Sequence, residues 1–256
     1  MTTDLPLAGR VALVTGAGQG VGQGIALALA SAGVHVAVAG RTRVPLEQTC
    51  ALLRERGVEA QAWEHDVADT EAAPGLVAEV VERFGRLDLL VNNAWAGAYG
   101  PLLELSDRAF QKGFRTGPFA AFALMKAAHP HLKAAGDASI VNLVTSAMVR
   151  WDPSTYGAYA AAKQALRSLS RTAAVEWAPD GIRVNAIAPH ALSPGLQWWT
   201  ENNPEEAEEF VASIPQRRIG DCEHDIGAAV VALVGPQMRY LTGALVPLDG
   251  GQAHFG

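Results

Sequence analysis

Cysteine is scarce: Cys50 and Cys222 are the only two in 256 residues. Two thiols cannot build a disulfide scaffold, so a reducing compartment is expected. Long apolar runs are absent. The longest candidate, residues 25–39, is interrupted by Ser31, Gly33 and His35, and is too short to span a bilayer. The chain opens Met-Thr-Thr-Asp, with no basic stretch leading into an apolar one, so no signal peptide is expected. Basic runs are missing and the formal net charge is −6, which argues against nucleic acid as the main partner. The seven histidines show no metal-ligand spacing, so no metal is expected. Internal repeats, low-complexity segments and linkers are not seen. What is present is 49% hydrophobic residues, ample material for a core. The expectation is a globular, cytoplasmic protein with no membrane partner.

Short apolar runs alternate with longer helical patterns. Strands are predicted at Val11–Thr15, 34–39, Ala60–Glu64, 87–92, 139–144, 183–188 and 244–248. Helices are predicted at 20–32, 45–57, 70–84, 156–177 and near 225–233. A further helical region covers about 106–132, interrupted near Gly117-Pro118. Strands that are continuously apolar, rather than alternating, imply a sheet buried on both faces. Strands alternating with helices imply right-handed crossovers and a parallel sheet. The predicted fold class is α/β, a doubly wound parallel sheet in a single domain over 1–256. Such sheets bind ligands at the carboxyl ends of their strands, near the switch point.

The first strand-to-helix loop reads Thr15-Gly16-Ala17-Gly18-Gln19-Gly20-Val21-Gly22. Glycines let backbone approach a ligand closely. The helix that starts there offers unpaired N–H groups to an anion, which suits a pyrophosphate. The same turn also serves as a ligand-free connection, and its place between the first strand and a helix favours the ligand. The second strand ends Ala39-Gly40-Arg41. An NAD site usually places an acid here for the ribose hydroxyls. The guanidinium of Arg41 instead matches a 2′-phosphate in charge and geometry, so NADP(H) is the expected cofactor. Arg43 either assists or is simply exposed.

The ordered set Thr15-Gly-x-x-x-Gly20-x-Gly22, Asp66-Val67, Asn92-Asn93-Ala94, Ser146, Tyr159-x-x-x-Lys163 and Asp249-Gly250-Gly251 resembles the short-chain dehydrogenase/reductase family across nearly the whole chain. The resemblance implies a Rossmann fold, an oxidoreductase that interconverts a carbonyl and an alcohol, and a homotetramer or homodimer. It implies cofactor contacts from Gly16, Gln19, Gly20, Val21, Arg41, Asp66, Val67, Asn93, Tyr159, Lys163 and Leu192. It also implies a substrate lid at about 190–215. The catalytic residues it implies are Ser146, Tyr159 and Lys163. Tyr159 and Lys163 are four apart, hence on one helix face. A nearby ammonium and a cationic nicotinamide would favour the tyrosine phenolate and fit it for proton exchange. The Ser146 hydroxyl could hold the same substrate oxygen. Tyr156 competes for the role but lies seven residues from Lys163.

Four positions depart from the family pattern, which marks an atypical branch. Trp95 follows Asn-Asn-Ala where the family has glycine. Gly117 stands where the family has a helix-interrupting asparagine that supports a relay water, which puts the relay in doubt but not the fold, because a water could occupy the vacated volume. His190 and Pro194 replace a glycine and a threonine. Ser193 could substitute for that threonine. His190 is read equally as a group for substrate or phosphate and as a loop histidine. Trp198 and Trp199 either close over an apolar substrate or pack at a subunit interface. With Trp95 and Trp151 they suggest a hydrophobic, bulky or aromatic small-molecule substrate. His129 and His131 are expected at a helix end. Two other readings stay open: an imine or double-bond reductase, and a nucleotide-binding sensor or scaffold with weak catalysis.

Overall fold

Apolar runs of four to eight residues form the strands of the computed structural model, which describes residues 5–150 and 155–255. They are β1 (Val11–Thr15), β2 (His35–Gly40), β3 (Ala60–Glu64), β4 (Leu89–Asn92), β5 (Ala138–Leu143), β6 (Ile182–Pro189) and β7 (Leu245–Leu248). Among the described residues they make one parallel sheet in the order β3-β2-β1-β4-β5-β6-β7. The register sets Val11 beside His35 and Asn92 beside Asn142. The helices are α1 (Gly20–Ser31), α2 (Arg43–Glu55), α3 (Ala73–Phe84), α4 (Asp107–Phe114), α5 (Ala120–Ala135), α6 (Gly157–Trp177), α7 (Pro194–Asn202), α8 (Pro204–Ser213) and α9 (Ala228–Val234).

Both faces of the sheet are covered, which is why its strands carry so little polarity. Helices α1, α2 and α9 cover one face through Ile25, Leu29, Leu46, Leu53 and Val230. Helices α3, α5 and α6 cover the other through Leu76, Val80, Leu124, Met125 and Ala173. Cys50 lies in the first of these cores, its thiol pushed up to about 11 by burial. Buried amides link the layers. Asn92 donates to Asn142 at 2.8 Å, and Asn142 to Ser170 Oγ at 2.9 Å, joining β4, β5 and α6. The strand order reverses between β1 and β4. The crevice beyond their carboxyl ends is the place such a sheet offers a ligand.

The elements follow the sequence pattern, with three informative differences. Between α4 and α5 the helix widens into a π-turn at Arg115–Phe119. Pro118 has no N–H to give the helical ladder, so the chain takes up an extra residue there. The stretch from 190 to 215, where the sequence shows only a break in the strand-helix pattern, contains two helices. Ser193 accepts from Leu196 N–H and Pro194 opens the first turn of α7, a start signal the aromatic residues obscure. Pro130 lies inside α5 rather than at its end. His129 Nε2 sits 3.0 Å from Asp180 Oδ2 and its ring meets Trp177 edge-on, tying α5 to the end of α6. Among the described residues no helix is long and apolar enough to cross a membrane.

Candidate active site

The turn after β1 builds one wall of a cleft of about 490 Å³. Gly16 holds φ +66°, and a Cβ there would lie 2.7 Å from Asn93 Nδ2. A Cβ on Gly22 would lie 2.4 Å from the same nitrogen and 2.5 Å from Gly16 O. Only glycine fits either place. The Asn93 amide donates to Thr15 O at 2.8 Å and to Gly16 O at 3.1 Å. It lines the cleft, but its amide nitrogen acts as a clamp on the turn. Gln19, which precedes α1, gives no side-chain cap to the helix. Gly20, Val21 and Gly22 of its first turn line the cleft, and the N-terminal N–H groups of a helix suit an anion. This cradle fits a dinucleotide pyrophosphate.

Gln19, Gly20, Val21, Arg41, Asp66 and Val67 line the same cleft. Arg41 is exposed at the end of β2, following Gly40. Arg43 is committed elsewhere: it pairs with Glu47 and donates to Ala62 O. Asp66 accepts from Ala68 N–H in the turn after β3. Leu192 does not join the lining. Its side chain is exposed and its N–H donates to Gly220 O at 2.9 Å.

A second cleft of about 780 Å³ opens beside the first, and the two share Val21, Asn93, Trp95, Ser193 and Gly195. Ser146, Tyr159 and Lys163 line it together. Ser146 is placed by the end of β5, and Tyr159 and Lys163 by successive turns of α6. Burial pushes the Tyr159 phenol well above its usual range, and neighbouring Tyr99 adds to the effect. A hydrogen bond with the Thr145 hydroxyl opposes it. Lys163 is buried too, and burial pulls it down to about 7. Its Nζ donates to Leu143 O at 2.6 Å and lies 5.8 Å from the centre of the Tyr159 ring. The expected help from the ammonium to the phenolate is thus opposed, in the protein alone, by desolvation of both groups. Thr145 is a site residue the sequence reading missed, although it directly precedes Ser146.

The four departures fall around these clefts. Trp95 stands at their junction, its ring centre 4.4 Å from that of Tyr159. A Cβ on Gly117 would lie 3.3 Å from Trp95 Cδ1. The indole thus packs against Gly117. His190 lines the second cleft, with its ring against the edge of Phe210. Burial lowers its pKa, Asp249 opposes that, and its buried Nδ1 has no hydrogen-bond partner among the described residues. Pro194 starts α7 over Gly20, and Ser193 lines both clefts. Of the tryptophan pair, Trp199 faces the cleft and meets Phe210, while Trp198 is exposed. Trp151 lies outside the described residues. Tyr99, Phe210 and Gln252 also line the cleft. They come from loops and helices with no motif to announce them. Among the described residues no group of three His, Cys, Asp or Glu side chains is arranged to hold a metal.

A family model described as enoyl-(acyl carrier protein) reductase matches residues 16–253. A 12α-hydroxysteroid dehydrogenase of Clostridium sp. is 35% identical over 251 residues, 95% of this chain and 96% of the relative. The crystal structure of an NAD+-bound xylitol dehydrogenase superposes with a TM-score of 0.88 at 35% identity, covering 96% of this chain and 99% of that one. The Pseudomonas aeruginosa RhlG/NADP active-site complex superposes with a TM-score of 0.90 at 32% identity, covering 98% and 99%. With the glycine cradle, the parallel sheet and the ordered motifs, these likenesses lead to one conclusion: the chain belongs to the short-chain dehydrogenase/reductase family of nicotinamide-dependent oxidoreductases.

Proposed function

We propose that this protein is an NADP(H)-dependent oxidoreductase that interconverts a bulky, hydrophobic carbonyl compound and its alcohol. The observation that carries the reading is the placement of Ser146, Tyr159 and Lys163 on one cleft that runs on into the glycine cradle. Gly16, Gln19, Gly20 and Val21 would hold the cofactor's pyrophosphate, and its reduced nicotinamide would supply the hydride for the carbonyl carbon. Tyr159 Oη gives its proton to the carbonyl oxygen as the alcohol forms, and takes it back in the reverse direction. The Ser146 hydroxyl donates to that oxygen and stabilises the charge developing on it. Lys163 provides the positive charge that favours the Tyr159 phenolate.

Arg41 at the cleft mouth, with Gly40 rather than an acid before it, supports NADP(H) over NAD(H). The two bound relatives hold one cofactor each, NAD+ and NADP. Trp95, Tyr99, Tyr156, Trp199 and Phe210 supply an aromatic wall suited to a large apolar substrate, as does the likeness to a hydroxysteroid dehydrogenase. Helices α7 and α8 carry two of these rings and form the proposed lid over 190–215. The exposed Phe110, Phe119 and Phe122 along α4, the π-turn and α5 support assembly as a homotetramer or homodimer. A cytoplasmic location completes the proposal. A second reading, double-bond reduction on the same site, is favoured by the description of the matching family model.

The test is oxidation of NADPH and NADH over a panel of ketones and aldehydes that includes polycyclic ones, with Tyr159→Phe alongside. Turnover that falls by about 10³-fold or more in the variant, with cofactor affinity kept, is expected. Turnover surviving in Tyr159→Phe would remove that residue from the proton step.

A further inference from the structure

Trp95 is the largest side chain at the junction of the two clefts, and its surroundings are built for it. A Cβ on Gly97 would lie 2.2 Å from the indole Cζ2. Cβ atoms on Gly113 and Gly117 would lie 3.6 Å and 3.3 Å from the indole. The three glycines together form a slot that an indole fills. Its polar edge is satisfied there, since Nε1 donates to Gly113 O at 3.2 Å. The segment beside it is pinned to the π-turn: Ala96 N–H donates to Thr116 Oγ1 at 3.1 Å, and Ala96 O lies 2.6 Å from the same hydroxyl. The irregular turn between α4 and α5 thus holds the indole from one side. On the other side the indole meets the Tyr159 ring at 4.4 Å and the Tyr99 ring at 5.6 Å. Tyr99 in turn stands edge-on to Tyr159 at 5.7 Å.

We propose that Trp95 is a positioning residue for Tyr159: seated in its glycine slot, the indole fixes the phenol ring in one orientation and keeps water off its face. The inference rests on the proposed role of Tyr159 and deepens it. A free phenol at the mouth of a wide cleft would sample several χ angles. Packing against a rigid ring removes that freedom, and small misplacements of a reacting group are costly. The same contact contributes to the desolvation of the phenol. The other titratable or charged groups facing Tyr159 are Tyr99, Tyr156 and Lys163, with Arg150 further along the cleft wall.

The test reads Tyr159 directly and needs no substrate. Protein labelled with ¹³Cζ-tyrosine is saturated with NADP+ and titrated with base. The Tyr159 resonance is identified by its loss in Tyr159→Phe. The original protein and Trp95→Phe are expected to show one narrow Tyr159 line. Trp95→Ala is expected to show a broadened or split line and a lower titration midpoint, because water reaches the ring. An unchanged line and midpoint in Trp95→Ala overturns the proposal. Should that variant fail to fold, Gly117→Ala serves instead. Its added Cβ meets the indole at 3.3 Å, so a shifted Tyr159 line is expected and an unmoved one counts against the proposal. With any ketone from the panel that turns over, Trp95→Ala should lose roughly 100-fold in kcat while Trp95→Phe recovers most of it. Activity surviving in Tyr159→Phe would defeat the proposed reaction alone. An undisturbed Tyr159 signal in Trp95→Ala would defeat this inference alone.

Discussion

Replacing Lys163 by methionine should stabilise the protein while abolishing turnover. Lys163 is buried, and desolvation lowers its pKa from 10.5 to about 7. At about 1.4 kcal/mol per tenfold change, holding that group in the fold costs about 5 kcal/mol at neutral pH. Methionine has a similar length, is apolar, and is charged in neither state. Against the gain stands the hydrogen bond from Nζ to Leu143 O at 2.6 Å, whose loss costs about 1–3 kcal/mol. The net expectation is about 3 kcal/mol of added stability at pH 7, a rise in Tm of roughly 6–12 °C. The pH dependence has a definite sign. Between about 7 and 10.5 the unfolded lysine carries a proton that the folded one does not, so the original protein gains stability as pH rises through that window. The methionine variant lacks this slope. Its advantage should be full below about pH 7, shrink as pH rises, and be gone by 10.5. Thermal or urea unfolding of both proteins without cofactor, at several pH values, checks this. A Lys163→Met protein that is less stable at neutral pH, or whose difference from the original does not vary with pH, refutes the reasoning.

Two further outcomes are expected. Arg41→Ala should weaken NADPH binding about tenfold and leave NADH binding unchanged, as read by fluorescence titration, since only NADPH carries the 2′-phosphate. Gly24→Ala should destabilise the fold by about 3 kcal/mol or more, because its Cβ would lie 2.3 Å from the backbone of Cys222 where α1 crosses the 222–227 segment. A shift in the urea midpoint measures it, and an unchanged midpoint would show that the two segments can separate at little cost.

Much of this protein was legible from its residues in order. Strands such as Val11–Thr15 and Ala60–Glu64 stand out because a sheet covered on both faces admits few polar side chains, and the parallel topology follows from their alternation with helices. The glycine turn and Arg41 were candidates by residue type at strand ends, and Ser146, Tyr159 and Lys163 by resemblance to the family's ordered motifs. The interruption at Gly117-Pro118 was visible because proline removes a hydrogen-bond donor wherever it falls.

What only the tertiary structure decided depends on groups far apart in sequence. The depressed lysine and elevated tyrosine arise from burial by several elements, which no local pattern encodes. Asn93, expected along the cofactor, clamps Thr15 and Gly16, because β4 lies beside β1. Trp95 and Gly117 looked like two separate departures. The fold places them side by side, the indole 3.3 Å from where a Cβ on Gly117 would lie. Leu192 and Trp198 are exposed and outside the cleft linings while Ser193 and Trp199 line them, a distinction set by how the chain leaves β6 and enters α7. The sequence by itself determined the local elements and singled out candidate site residues, since both rest on short-range pattern and residue type. The solvation and neighbours of those residues required the folded chain, since both are sums over distant contacts.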